Sequence, residues 1–197
     1  ATSGAGATGV GVAGAFALND ADATSEALIQ SGGAVTLVGT PDVFLTSASD
    51  SSHTATAEPE LAGGDVGVGA AFALNIATND TRAAIEDTAS LSGADDLTLS
   101  ADGDHTTITT APAGAEGGTA VAPAVAITYG DNDTRALLGT GAALSLDGFL
   151  EAEAILAGTT TTTASGDTTG TVKAVGATLA VNVADNDVEA RTDRNVS

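Results

Sequence analysis

An internal repeat of about 54 residues is the feature that most constrains the fold of this chain. The segment Val10–Asn19, which reads VGVAGAFALN, returns at Val66–Asn75 as VGVGAAFALN, and more loosely at 121–128 and 175–182. Positions 26, 82, 135 and 189 are equivalent and are 56, 53 and 54 residues apart. We therefore divide the chain into a lead-in at 1–9, repeats at 10–65, 66–118 and 119–170, and a partial fourth repeat at 171–197.

The leading segment of each repeat alternates between bulky and small residues, which is the period of a β-strand. In the second repeat Val66, Val68, Ala70, Phe72, Leu74 and Ile76 share one face, and Gly67, Gly69, Ala71, Ala73 and Asn75 share the other. Glycine weakens a strand unless something lies close against it. We therefore predict that a second backbone layer packs tightly against the small face.

The rest of the repeat also has the composition of strands, and no stretch carries a helical apolar stripe. In the second repeat we predict short strands at 82–86, 90–92, 96–101 and 105–110, with turns at the Asn-, Asp- and Gly-rich segments between them. The chain is thus predicted to be all-β and to form an elongated repeat array. A β-solenoid or β-helix, with three coils of about 18 residues in each repeat, is favoured over tandem β-sandwiches.

Composition excludes several classes of protein. The chain has 26 acidic residues against five basic ones, with Lys173 as the only lysine, so nucleic-acid binding is not expected. It has no cysteine for a thiolate site, and no apolar run long enough to span a membrane. We find no signal peptide, and the incomplete fourth repeat favours a piece of a longer protein. No motif of a catalytic site is present, so we predict that the chain is not an enzyme.

Three segments of the second repeat together carry a family resemblance: GVGAAFALN at 67–75, NDTRAAI at 79–85 and DLTLSA at 96–101. The pattern resembles the repeat regions of giant bacterial surface and secreted proteins, including filamentous-haemagglutinin-like and autotransporter adhesins. The resemblance implies an extended β-rich stalk or filament on the cell exterior, and it supplies no catalytic residues. The third repeat departs from the pattern because Pro123 lies inside its leading strand.

Aspartates recur after the leading strand of each repeat and are candidate calcium ligands, because calcium takes six to eight oxygens from carboxylates and carbonyls. The same residues are also common turn formers without any ion, so both readings stay open. No cofactor is otherwise expected. The predicted calcium ligands are Asp20, Asp22, Asp80, Asp131, Asp133, Asp185 and Asp187.

Histidine and threonine recur in the second half of the repeat. His53 and His105 occupy equivalent positions of the repeat, and we predict that both are surface strand residues rather than a metal pair or a catalytic base. Thr-rich strands at 54–56, 107–109 and 159–163 would place hydroxyl and methyl groups on one strand face. Such an array could order water, as in ice-binding solenoids, although threonine is also a good strand former.

Two sequons and two arginines follow the leading strand of the middle repeats. Asn79 and Asn132 each begin an Asn-Asp-Thr sequon, which predicts an accessible glycan if the turn is exposed. Arg82 and Arg135 are equivalent, and we predict that each forms a salt bridge to a nearby Asp.

Together these features predict an extracellular structural repeat of a surface stalk, fibre or adhesin. Its expected partners are neighbouring repeats or identical subunits, which would join through unpaired terminal strands. The alternative is a calcium-dependent or ice-binding surface module. The acidic surface would keep such a fibre soluble.

Overall fold

A computed structural model describes residues 1–4, 6, 8–60 and 63–197. Ala5 and Ala7 of the predicted lead-in, and Leu61 and Ala62 of the first predicted repeat, lie outside the described residues. The described part is all-β and contains no helix, which confirms the predicted all-β class. Its strands are β1 (Thr2–Ser3), β2 (Val10–Ile29), β3 (Ala34–Thr36), β4 (Val43–Thr56), β5 (Glu58–Pro59), β6 (Val66–Ile85), β7 (Ser90–Ser92), β8 (Leu97–Leu138) and β9 (Leu150–Thr192).

The strands pair in parallel, and their register follows the sequence repeat. Val10 pairs with Val66, and this register continues without a break to the pair of Ile29 and Ile85. In the same way β6 pairs with the second half of β8, and β4 pairs with the first half of β8. Strand β9 then covers nearly the whole of β8. Each residue therefore lies beside its counterpart about 54 positions away, not 18. The prediction of three coils of about 18 residues in each repeat is wrong.

The small face of the leading segment points inward and the bulky face points outward. Ala71 and Ala73 are buried, and at Gly69 a Cβ would overlap the carbonyl oxygen of Gly114 and lie 2.8 Å from its carbonyl carbon. The first half of β8 thus approaches β6 backbone against backbone. This confirms the predicted second layer over the small face, because only glycine and alanine leave room for such an approach.

Two apolar cores lie between the layers, and a polar band separates them. One core consists of alanines, including Ala71 and Ala124 on one side and Ala113 on the other. The other core is built from leucine and isoleucine, with Leu97 and Leu99 packed in the same cluster as Leu138. Buried polar residues between the two cores are Asn75, Asn79, Thr81, His105, Thr107, Thr109, Thr128, Asn132 and Thr134.

The predicted turns at the Asp-rich segments are wrong. Residues 78–82 lie within β6, and the equivalent Asp131 and Asp133 lie within β8. The predicted strand 82–86 is the end of β6, and the predicted strands 96–101 and 105–110 are both parts of β8. Only 90–92 forms a separate short strand, as predicted. Parallel pairing satisfies the backbone of these polar segments and so overrides their turn propensity.

Candidate functional site

The predicted calcium ligands form columns of carboxylates on the outer face. Parallel pairing places Asp131 beside Asp185, and Asp133 beside both Asp80 and Asp187. Asp22 belongs to the first column but is separated from Asp131 by Thr78. Asp20 lies in a third column, whose next members are Ile76, Tyr129 and Val183, so it has no carboxylate beside it there.

Arg135 forms salt bridges with the second of these columns, that of Asp80, Asp133 and Asp187. Its guanidinium pairs with Asp133, lies 3.6 Å from Asp187, and lies 3.9 Å from Asp80. The predicted bridge from Arg135 to nearby aspartates is thus confirmed. The equivalent Arg82 instead pairs with Glu86 at 2.9 Å, on the same strand, so its predicted partner was wrong.

The carboxylates of the columns are close enough to influence one another. Partial burial raises the pKa of Asp131, and the neighbouring charges of Asp133 and Asp185 raise it further. Across the part of the chain that the structure describes, no group of three or more His, Cys, Asp or Glu side chains is arranged to hold a metal ion. Calcium binding by these aspartates therefore stays a prediction. The positive charge beside Asp80, Asp133 and Asp187 is the guanidinium of Arg135.

A ladder of asparagine side chains runs along the stack inside the polar band. The amide nitrogen of Asn79 donates to the carbonyl oxygen of Asn132 at 2.7 Å, and Asn132 donates in turn to Asn186 at 2.7 Å. A second link runs from Asn19 to Asn75 at 2.9 Å. Asn75 then donates across the core to the backbone carbonyls of His53 and Ile108. The ladders join neighbouring repeats, and Asn75 joins the two layers.

This burial corrects the prediction of accessible glycans. Asn79 is 1% exposed and Asn132 is 5% exposed, and both amides are used in the ladder. A glycan on either nitrogen would have to replace that hydrogen bond inside the core. The Asn-Asp-Thr segments are therefore structural, because alternate residues point inward and only the Asp between them faces outward.

The histidines belong to the interior, and the prediction that both lie on the surface is wrong. His105 is 1% exposed. The two are not equivalent either, because His105 pairs in register with Ser51 and His53 pairs with Thr107. His53 Nε2 lies 3.1 Å from Asn79 Oδ1, which also accepts the Ser51 hydroxyl at 2.9 Å. Because the Ser51 hydroxyl donates its hydrogen bond to Asn79, its oxygen is left to accept one from His105 Nδ1 at 2.8 Å.

His105 is a neutral structural residue in this arrangement. Burial lowers its pKa, and the nearby His53 lowers it further. Its Nε2 is an acceptor with no hydrogen-bond partner among the described residues. Gly103 packs close to that atom, because a Cβ on it would lie only 2.9 Å from His105 Nε2 and 2.8 Å from Thr134 Oγ1, which leaves no room for a side chain. The Ser51 hydroxyl is committed to Asn79, so the cluster lacks an available nucleophile.

The threonines predicted to form a water-ordering array point in different directions. Thr107 and Thr109 are buried, and Thr109 accepts a hydrogen bond from Thr128 at 2.6 Å. Thr54 pairs in register with Ile108, so it faces outward, away from the side of Thr107 and Thr109. A shift of one residue reverses the face of a strand. The prediction of a water-ordering array that includes Thr107 and Thr109 is therefore wrong.

Arg194, which the sequence did not predict as a functional residue, joins the segments that follow β6 and β8. Its guanidinium donates to four backbone carbonyls: those of Gly139 at 2.5 Å, Ala89 at 2.6 Å, Glu86 at 2.9 Å and Thr140 at 3.1 Å. Four carbonyl oxygens suit the five donors of a guanidinium. The residue has no counterpart at the equivalent positions of earlier repeats, so the repeat pattern gave no signal for it.

Among the residues that the structure describes, none forms a helix that could cross a membrane. No protein-family model matches the chain, and neither a curated protein nor a solved structure matches it.

Proposed function

We propose that this chain is an extracellular structural repeat of a surface stalk, fibre or adhesin. In this proposal the repeats form a β-solenoid in which one repeat makes one turn and advances the stack by one strand spacing, about 4.7–4.9 Å. The extracellular location comes from the resemblance to large bacterial surface proteins. The role is mechanical rather than catalytic, and it consists of extending a stiff acidic rod.

The observation that carries the proposal is the parallel register between repeats, which in the pairing of β8 with β9 shifts only between Gly117 and Thr119. The pairs Val10 with Val66, Val66 with Thr119, and Thr119 with Lys173 show one position shared by four successive strands. Such a stack can be lengthened without changing its cross-section, because each added repeat meets the same surface. A structural element that is extended by repetition needs this property.

The outer edges of β2 and β9 are where extension would occur, since each has a strand neighbour on one side only. A further repeat with an asparagine at the position of Asn186 would continue the ladder of Asn79, Asn132 and Asn186. The first strand of an identical chain would match Asn182 with Asn19 but would set Asn186 against Ala23. It would also set Asp185 against Asp22 and Glu189 against Glu26. The edge chemistry thus favours a neighbouring repeat over an identical subunit as the partner.

The alternative functions have less support. A calcium-dependent module would need several carboxylates converging on one ion, whereas here the column of Asp80, Asp133 and Asp187 pairs with Arg135. An ice-binding module would need a flat exposed array, and two of its predicted threonines are buried.

Trimming the chain to residues 1–170 tests whether the repeats behave as separable layers. We expect the trimmed chain to stay folded, because Leu150–Gly170 still pairs with Leu97–Gly117, although the outer strand and the four hydrogen bonds of Arg194 are lost. Its melting temperature should fall by several degrees, since the pairing of 173–192 with 119–138 is removed and 119–138 becomes an exposed edge strand. Circular dichroism and sedimentation of both chains measure these effects. Complete unfolding of the trimmed chain would contradict the layered account and make 172–192 an integral strand.

A further inference from the structure

The outer face of the leading strands is an apolar surface that the structural role described above does not use. Three rows of bulky side chains run along the stack, and Phe16 and Phe72 are stacked within one of them with ring centroids 5.3 Å apart. Phe16 is 61% exposed and Leu179, in the same row, is 52% exposed. The rows are Val12, Val68, Val121 and Val175; Phe16, Phe72, Val125 and Leu179; and Leu18, Leu74, Ile127 and Val181.

A groove runs between the valine row and the phenylalanine row. Its floor is a row of small residues, Gly14, Ala70 and Pro123, continued by Ala177. The groove has a volume of about 410 Å³ and is lined by Phe16, Phe72 and Val125 on one side. Because the ridge and the groove are adjacent and parallel, the surface is complementary to itself.

We propose that two copies of this chain pack face to face through this apolar surface, each placing its phenylalanine row in the groove of the other. The two-fold axis is parallel to the stack and lies between the groove and the phenylalanine row. The strand spacing of the two stacks is the same, so a ridge that fits at one repeat fits at every repeat. A partner without this period would match the groove at one level only.

Charge selects the orientation of the second copy. The carboxylate columns of Asp131 and Asp133 lie along one margin of the apolar surface only. A two-fold axis parallel to the stack carries these columns to opposite margins, whereas an axis across the stack would set them against each other. With a formal charge of −21 on each chain, the second arrangement is disfavoured, as is docking on an anionic lipid surface.

The size of the surface predicts a weak dimer at this chain length. Four strands at about 4.8 Å and nine residues at about 3.3 Å give on the order of 500 Å² per copy. This is comparable to the largest apolar patch of a typical monomer, roughly 300–600 Å², and is below the roughly 800 Å² per partner of a stable interface. Each added repeat enlarges the surface, so lateral pairing strengthens as the fibre lengthens.

Sedimentation equilibrium of the full chain at rising concentration tests the proposal. We expect a reversible dimer whose dissociation constant rises at least tenfold in Phe72→Asp. Gly14→Val should weaken the dimer without adding charge, because a Cβ at Gly14 meets nothing closer than 3.9 Å and fills the groove. The control Thr106→Asp adds the same charge to the outer face of the other layer and should leave the dimer unchanged. Circular dichroism checks that all variants stay folded.

Spin labels test the orientation, since the chain has no cysteine and a single Thr78→Cys label is unambiguous. With the axis parallel to the stack, the two labels should be roughly 50 Å apart, and with an axis across the stack they should be closer than roughly 25 Å.

Three outcomes would overturn the proposal. They are a chain that remains monomeric at millimolar concentration, a dimer equally weakened by Thr106→Asp, and the short distance between the labels. Binding to neutral phosphatidylcholine vesicles without self-association would assign the surface to lipid instead. The edge-trimmed chain 1–170 separates this contact from end-to-end addition, because it keeps the first three members of each row.

Discussion

Gly69→Ala is expected to lower the free energy of unfolding by at least about 3 kcal/mol, the upper end of the usual cost of overpacking. The added methyl group would overlap the carbonyl oxygen of Gly114. Neither backbone can withdraw, because β6 is paired on both sides and Gly114 is paired with Asp167 on β9. The two layers would have to separate around the alanine core. Equilibrium unfolding in urea measures the change.

Gly14→Ala is the matched control. Gly14 is on the same leading segment one repeat earlier, but it faces outward, and its nearest atom to an added Cβ is the Ala70 oxygen at 3.9 Å. Its backbone has no positive φ, so alanine should be neutral or stabilise the fold by about 0.4–1 kcal/mol. Failure of Gly69→Ala to fold, beside a normal Gly14→Ala, would agree with the account. Equal stability of the two variants would contradict the close approach of the layers.

Leu99→Ala should lower the free energy of unfolding by about 2–5 kcal/mol, as for leucines in well-packed cores. Leu99 is fully buried, and it lies in register between Leu45 on β4 and Ala152 on β9. Removing it leaves a cavity that paired strands on either side keep from collapsing. The midpoint of urea unfolding measures the loss, provided that the slope of the transition is unchanged.

Leu18→Ala removes the same atoms from the outer face. Leu18 is 57% exposed, so in the monomer we expect this variant to cost less than about 1 kcal/mol. The comparison must be made below the concentration at which the chain self-associates. If Leu18→Ala were as costly as Leu99→Ala, the assignment of the bulky leading residues to the outer face would be wrong.

The all-β class and the stacking of successive repeats could be predicted from the sequence, because similar segments in successive units are the natural partners for parallel pairing. Alternation in 66–76 predicted a strand, and its bare face predicted a close second layer. What the alternation could not reveal is that Phe16 and Leu18 point outward, away from both cores. Hydrophobic residues usually mark the interior. Here the interior along the leading strands is instead filled by alanine side chains and by the backbone of the facing layer around Gly114.

The polar residues were harder to place, because their role depends on register rather than on local composition. Asn79 and Asp80 form a good turn as a dipeptide, yet stacking on Asn132 and Asp133 makes them strand residues. The similar segments around His53 and His105 suggested a spacing of 52 residues, whereas the strands pair at 54. The leucine pairs, such as Leu45 with Leu99, outweigh that local likeness because burying them contributes more than matching two histidines. Arg194 could not be found because its partners are backbone carbonyls, which carry no sequence signal.

Electron cryo-microscopy of the native material tests the central claim most directly. The account predicts a continuous rod in which each repeat of about 54 residues advances the axis by only about 4.8 Å. Tandem sandwiches of the same length would instead appear as beads roughly 25 Å apart. A rod with the short advance supports a structural stack, whereas beads or separate compact particles would contradict it.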